Sequence, residues 1–137
     1  MPMEFMSLRI IGRLIMLDIS IASQNGLISM LITEIELIDG ELGFAGHPDL
    51  ICTIKGDTKS TLVDLKTPLA ESPIWKPQLA AYRHLALRAG YDIGRVGSLR
   101  LKPDGGRAIF TEYTDEKADF AAFLNALMIA KYFKGGE

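Results

Sequence analysis

Cysteine is nearly missing from this chain of 137 residues: Cys52 stands alone. A single cysteine excludes an internal disulfide and any zinc site built from cysteines. Histidine is almost as scarce, and His47 with His84 cannot make a multi-histidine metal centre. An excess of positive charge is also absent. Fifteen Lys and Arg stand against 17 Asp and Glu, for a formal net charge of −2. No global basic field is there to hold nucleic acid, so any basic face has to be local. Long apolar runs are lacking too. Residues 8–22, LRIIGRLIMLDISIA, put arginine ahead of aliphatic residues in loose imitation of a secretory leader. Asp18 interrupts the stretch, and Leu14–Leu17 is far too short to span a bilayer. It reads as a packed helix or strand. The expectation is a cytoplasmic protein with no membrane partner.

What is present suits one soluble globular domain over residues 1–137. Hydrophobic residues make up 48% and charged residues 23%, enough for one core at this length. There is no low-complexity tract and no internal repeat. Gln24-Asn25-Gly26 reads as a turn. LITEIELI, residues 31–38, alternates with period two and predicts a strand. Asp39-Gly40 is a turn signal. Residues 43–54 predict a second strand, bent at His47-Pro48-Asp49 because proline cannot donate to a ladder. TLVDLK, residues 61–66, predicts a third, and short links make the three an antiparallel meander. Pro77 and Gly90 bracket a helix. Strands are expected over Val96–Lys102 and Arg107–Tyr113, joined by a hairpin loop at Pro103-Asp104-Gly105-Gly106. A final helix has Thr114 as cap, acids at its start, Lys131 and Lys134 at its end, and Gly135 as stop. Its Phe120, Phe123, Leu124 and Leu127 form an apolar stripe for core packing. This order predicts an α/β or α+β domain, a mixed sheet flanked by helices.

Chemistry concentrates between Gly43 and Tyr82. Asp49 lies at the bent strand. Asp64 and Lys66, two apart on the next strand, project from one face. Asp64 interrupts the apolar run Leu62-Val63-Asp64-Leu65, and a charge there is costly without a partner. Two carboxylates and an ammonium can therefore converge at one sheet edge. Hard cations such as Mg²⁺ or Mn²⁺ take carboxylate and carbonyl oxygens, and the Leu65 carbonyl is a candidate third donor. Gln78 and Tyr82 are one helical turn apart and share a face. Glu34 and Glu36 also share a face, as acidic ligands or as solvated strand positions. His47 is either a structural residue at a bend or a neighbour of metal or phosphate. Trp75 either packs the helix start or stacks on a base. Cys52 reads as buried and unreactive.

The series Gly46-x-Pro48-Asp49, then Asp64-Leu65-Lys66-Thr67 fifteen residues beyond Asp49, then Gln78-x-x-x-Tyr82, resembles the RecB-type exonuclease branch of the PD-(D/E)XK nuclease superfamily. Compact phage and prophage members are the most similar. The resemblance implies a restriction-endonuclease-like core and Mg²⁺- or Mn²⁺-dependent hydrolysis of DNA phosphodiesters. It implies metal and catalytic roles for Asp49, Asp64 and Lys66, and places Gln78 and Tyr82 beside DNA or the metal shell. Glu34 is the candidate for the first acidic motif. The match is strongest over Gly43–Tyr82 and loosens toward Phe133. Upstream the chain departs from the pattern: about thirty residues, none of them histidine, stand where relatives have a long helical region. A homo-oligomer or partner chain completing that region is one expectation. A nuclease-fold remnant that binds DNA or protein without cutting is another.

Overall fold

The alternating stretch 31–38 forms two strands rather than one. In the computed structural model, which describes residues 25–67, 71–100 and 108–135, β1 (Ile28–Thr33) ends where Glu34 takes a positive φ of 53°. A left-handed backbone cannot continue a pleated strand, so the chain turns there. It then enters β2 (Leu37–Asp39), which pairs antiparallel with β3 (Phe44–Gly46) as a separate ribbon. After the bend at His47-Pro48-Asp49 the chain rejoins the main sheet as β4 (Leu50–Ile54), followed by β5 (Ser60–Lys66). The predicted bend therefore lies between two sheets. The predicted meander survives as β1-β4-β5, with the β2–β3 ribbon inserted in its first connection.

β5 then crosses over through helix α1 (Trp75–Arg88) to β6 (Ile93–Arg100), which lies parallel to it. β7 (Ile109–Glu112) returns antiparallel, giving a mixed five-stranded sheet of order β1-β4-β5-β6-β7. Helix α2 (Glu116–Gly135) closes the chain. The fold is thus α+β, with α1 on the sheet and α2 on α1. The helix boundaries correct two expectations. Pro77 is the third helical residue of α1 rather than the first, and α2 begins at Glu116, two residues beyond Thr114. Gly90 does serve as the exit of α1, with φ +100° that only glycine adopts freely. The Pro103–Gly106 loop and residues 8–22 lie outside the described residues.

Alternation sorts the sheet into two faces. Ile51, Leu62 and Val96 point toward α1 and pack with Trp75, Leu79 and Leu85 in the main core. Leu50, Cys52 and Val63 point the other way into a smaller cluster. Cys52 is buried there, as expected. The stripe of α2 packs only in part. Phe120 stacks on His84 and Phe123 tilts against Phe44, both half-buried, while Met128, Ile129, Tyr132 and Phe133 beyond them are exposed. No helix among the described residues is long and apolar enough to cross a membrane.

Candidate active site

Asp49 immediately precedes β4, and Asp64 sits near the end of β5. Leu50 pairs with Val63, so the next step outward sets Asp49 beside Asp64. The two carboxyl groups share a hydrogen bond. Asp64 is only 5% exposed, while Asp49 is half-buried. The bend at Pro48 takes β4 away from β5 beyond this point, and the Leu65 N–H, left without a strand partner, donates to Asp49 Oδ2 at 2.7 Å. In a strand the N–H and C=O of one residue face the same edge. The Leu65 carbonyl therefore also opens toward Asp49.

Lys66 anchors the other side. Its Nζ lies 2.6 Å from Asp64 Oδ2 and donates to Gln78 Oε1 at 2.7 Å. Gln78 Nε2 in turn donates to the Tyr82 hydroxyl at 3.1 Å. Lys66 Nζ also sits 5.6 Å from the centroid of the Trp75 ring, within cation–π range. The Trp75 ring is buried in the core and takes the packing role rather than a base-stacking one. A 14-residue helix starting beside the end of β5 is what brings Trp75, Gln78 and Tyr82 to the cluster. Gly46 permits the close approach: a Cβ there would lie 2.6 Å from the Tyr82 ring and 3.1 Å from Leu85 Cδ1.

The electrostatics are unbalanced. Burial, reinforced by the hydrogen bond and negative charge of Asp64, pushes the Asp49 carboxyl up to about 7; the Leu65 N–H works in the opposite direction. Burial also raises the Tyr82 hydroxyl, and the charges of Asp64 and Asp49 add to that rise. Two carboxylates held together in this way favour either a shared proton or a cation. The donors, two carboxylates and a carbonyl, are all oxygen and fit a hard divalent ion. Among the described residues no third Asp, Glu, His or Cys joins them. His47 is exposed two residues away. Glu34 touches the site through its backbone, its N–H donating to the Asp49 carbonyl at 3.2 Å, but its side chain is exposed. Neither completes a three-residue metal set.

A second acidic centre went unread in the sequence. Asp39, 1% exposed, accepts from the N–H groups of Glu41 and Leu42 at 2.9 Å each, and its Oδ2 lies 2.7 Å from His84 Nε2. Arg88 Nε stands 3.6 Å from its other oxygen. The His84 bond leads, with the Leu42 N–H next, in lowering its carboxyl to about 2. The spacing of His84 and Arg88, one helical turn apart, was the available signal. A cavity of about 470 Å³ lies between α1, α2 and β3, walled by Phe44, Ala81, Phe123 and Ala126, with Gln78 and Tyr82 on its polar side.

No protein-family model matches the chain, and no curated protein matches it. Among solved structures it is similar to one described as the crystal structure of SSO0001, with TM-score 0.50 and 20% identity. The match covers 89% of this chain and 60% of that one, so this chain spans about three fifths of that protein's length. At this identity the likeness is one of fold.

Proposed function

We propose that this chain is a metal-dependent deoxyribonuclease, exonuclease-like, that hydrolyses DNA phosphodiester bonds with water. One observation carries the reading. Asp49 and Asp64 come from neighbouring strands and share a hydrogen bond, with the Lys66 ammonium 2.6 Å from Asp64 Oδ2. Asp49, Asp64 and the Leu65 carbonyl would hold Mg²⁺ or Mn²⁺. Such an ion supplies Lewis acidity toward a phosphoryl oxygen and acidifies bound water. Lys66 fixes the Asp64 carboxylate and keeps a positive charge beside the phosphoryl group, where negative charge grows in the transition state. Gln78, braced by Tyr82, holds Lys66 in place. The RecB-type motif series Asp49, Asp64-x-Lys66 and Gln78-x-x-x-Tyr82 supports the same roles.

The test is cleavage of linear DNA with Mg²⁺ or Mn²⁺, and its loss in Asp64→Asn. Undiminished cutting in excess EDTA would refute the reading. The alternative, a nuclease-fold module that binds DNA or protein without cutting, is favoured by the lack of a third acidic or histidine ligand among the described residues. It predicts DNA retention by the wild type with no cleavage under any divalent ion.

A further inference from the structure

Helix α2 is apolar on two opposite faces. Phe120 and Phe123, with half-buried Leu124 and Leu127, make the face turned toward α1 and β3. At about 3.6 residues per turn, Ala118, Ala121, Ala122 and Asn125 lie on the other side of the helix. Met128, Ile129 and Tyr132 continue that second stripe in steps of three and four. All seven are exposed, and Met128, Ile129, Tyr132 and the adjoining Phe133 are between 59% and 77% exposed. No charge stands on the stripe. The two charged residues within its span are engaged elsewhere: Asp119 is buried, and Lys131 donates to the Leu42 carbonyl. The solvent side of a packed helix is expected to be polar. This one is not.

We propose that the second face of α2 is a homodimer interface, in which two copies of the helix pack antiparallel about a two-fold axis through Asn125. The stripe is self-complementary in the way such an axis demands. Ala122 and Met128 stand three residues either side of Asn125, Ala121 and Ile129 four, and Ala118 and Tyr132 seven. Antiparallel pairing therefore seats each large side chain of one copy on an alanine of the other. A parallel pair would instead stack large on large and alanine on alanine, leaving a gap at one end. The helix dipoles also oppose one another in the antiparallel arrangement, bringing acidic Glu116 of one copy toward basic Lys134 of the other. On the axis the two Asn125 amides face each other, and each offers both a donor and an acceptor. A lone asparagine in an apolar helix seam fixes register and orientation. The area suffices. Four large side chains at roughly 100–150 Å² apiece expose on the order of 500 Å² per copy. With the alanines, two copies reach the lower end of stable interfaces, on the order of 1,200 Å² in total. The dimer stands whether or not the chain cuts DNA.

The test is sedimentation velocity of the full chain, across a concentration series reaching about 1 mM. The wild type is expected to approach twice the chain mass of 15.1 kDa. Ile129→Glu, Ala118→Glu and Tyr132→Lys should each weaken the dimer by about a hundredfold or more, because each sets a charge in an apolar seam. Ala118→Glu combined with Tyr132→Lys should recover much of the loss, since the axis places these two positions opposite one another in different copies. Tm measured at low concentration should change little in the single variants, because the substituted side chains face solvent in the monomer. If Ile129→Glu unfolds, the Ala118 and Tyr132 pair carries the comparison. A wild type that stays monomeric throughout the series would overturn the proposal. In that case a loss of Tm in monomeric Ile129→Glu would point to cover by another part of the same chain. A dimer indifferent to Ile129→Glu would overturn it too, and a double variant no better than its parents would overturn the antiparallel register.

Discussion

Asp39 and Asp49 lie ten residues apart, one at the turn of the β2–β3 ribbon and the other just beyond its end, and their surroundings treat them in opposite ways. Asp39 is matched on every side: two backbone N–H groups, His84 and Arg88 all favour its ionised form. Asp49 has one N–H in its favour and a second carboxyl against it. One carboxyl falls to about 2 and the other rises to about 7. The contrast separates a carboxylate that fastens a fold from one kept short of partners. The first closes a ribbon onto a helix. The second is held half-buried against a like charge, the pattern expected where burial and like charge are gathered for chemistry.

The sharpest way to break this comparison is in activity. Asp49→Asn, Asp64→Asn and Lys66→Ala should each reduce DNA cleavage by about a hundredfold or more, the scale of losing a transition-state charge contact at roughly 3 kcal/mol. Asp39→Asn should cut at near the wild-type rate per folded molecule at low temperature. Equal loss of specific activity in Asp39→Asn would erase the distinction.

The next effect is in stability and runs the other way. Asp39→Asn should lower Tm by on the order of 10 °C, because it unpairs His84 and Arg88 from a buried partner. Asp49→Asn should leave Tm unchanged or raise it at about pH 8 without metal, since it removes one of two crowded charges. Differential scanning calorimetry reads both. Lys66→Ala is a hybrid case: it leaves the 5% exposed Asp64 without its cation, so its Tm should fall at about pH 8 and recover with Mg²⁺. The sequence alone suggests little effect on stability there; the 2.6 Å contact revises that.

How much of this was legible follows from what sequence pattern encodes. Period-two alternation located Ile32, Thr33, Leu37 and Ile38 on strands, but alternation does not say which sheet a strand joins, so the break at Glu34 was hidden. Asp64 was legible because a charge in an apolar run demands partners, and Lys66 followed from its spacing. Gln78 and Tyr82 followed from helical spacing. Asp39 was read only as a turn residue. It does make the turn, through the N–H groups of Glu41 and Leu42, but its bond to His84 spans 45 residues and no local pattern records it.

A smaller effect tests the geometry that joins the two aspartates. Gly46→Ala would push a methyl into the Tyr82 ring and Leu85, displacing the segment that leads to Asp49. It should cost roughly 1–3 kcal/mol of stability, measured by urea denaturation. A neutral result would mean that β3 is free to lift from α1.

The subtlest effect is in pH. The Asp49 carboxyl is raised from 3.8 to about 7, so the folded state retains a proton that the unfolded chain releases. The stability tied to that proton is complete at low pH and is lost as pH rises toward 7. Asp39, lowered from 3.8 to about 2, has the opposite sign: its contribution is present above about pH 4 and lost as pH falls through 2. The difference in Tm between wild type and Asp49→Asn should therefore drift against the wild type from about pH 4 to about pH 7. Mg²⁺, competing with the shared proton, should raise wild-type Tm more at about pH 8 than at about pH 5. A pH-independent Mg²⁺ shift would place the ion elsewhere.

The position of Trp75 has an optical consequence. It is the sole tryptophan of the chain, its ring is 5% exposed, and the Lys66 ammonium lies 5.6 Å from the ring centroid. Indole emission responds to the local electric field because the excited state redistributes charge across the two rings. An ion or phosphate arriving at Asp64 changes the field acting on a dry, fixed chromophore one contact away. The unlabelled protein is thus equipped to signal occupancy of the site by a shift in its own emission colour. With no second tryptophan to dilute the signal, a titration can be followed in a cuvette before any substrate is chosen.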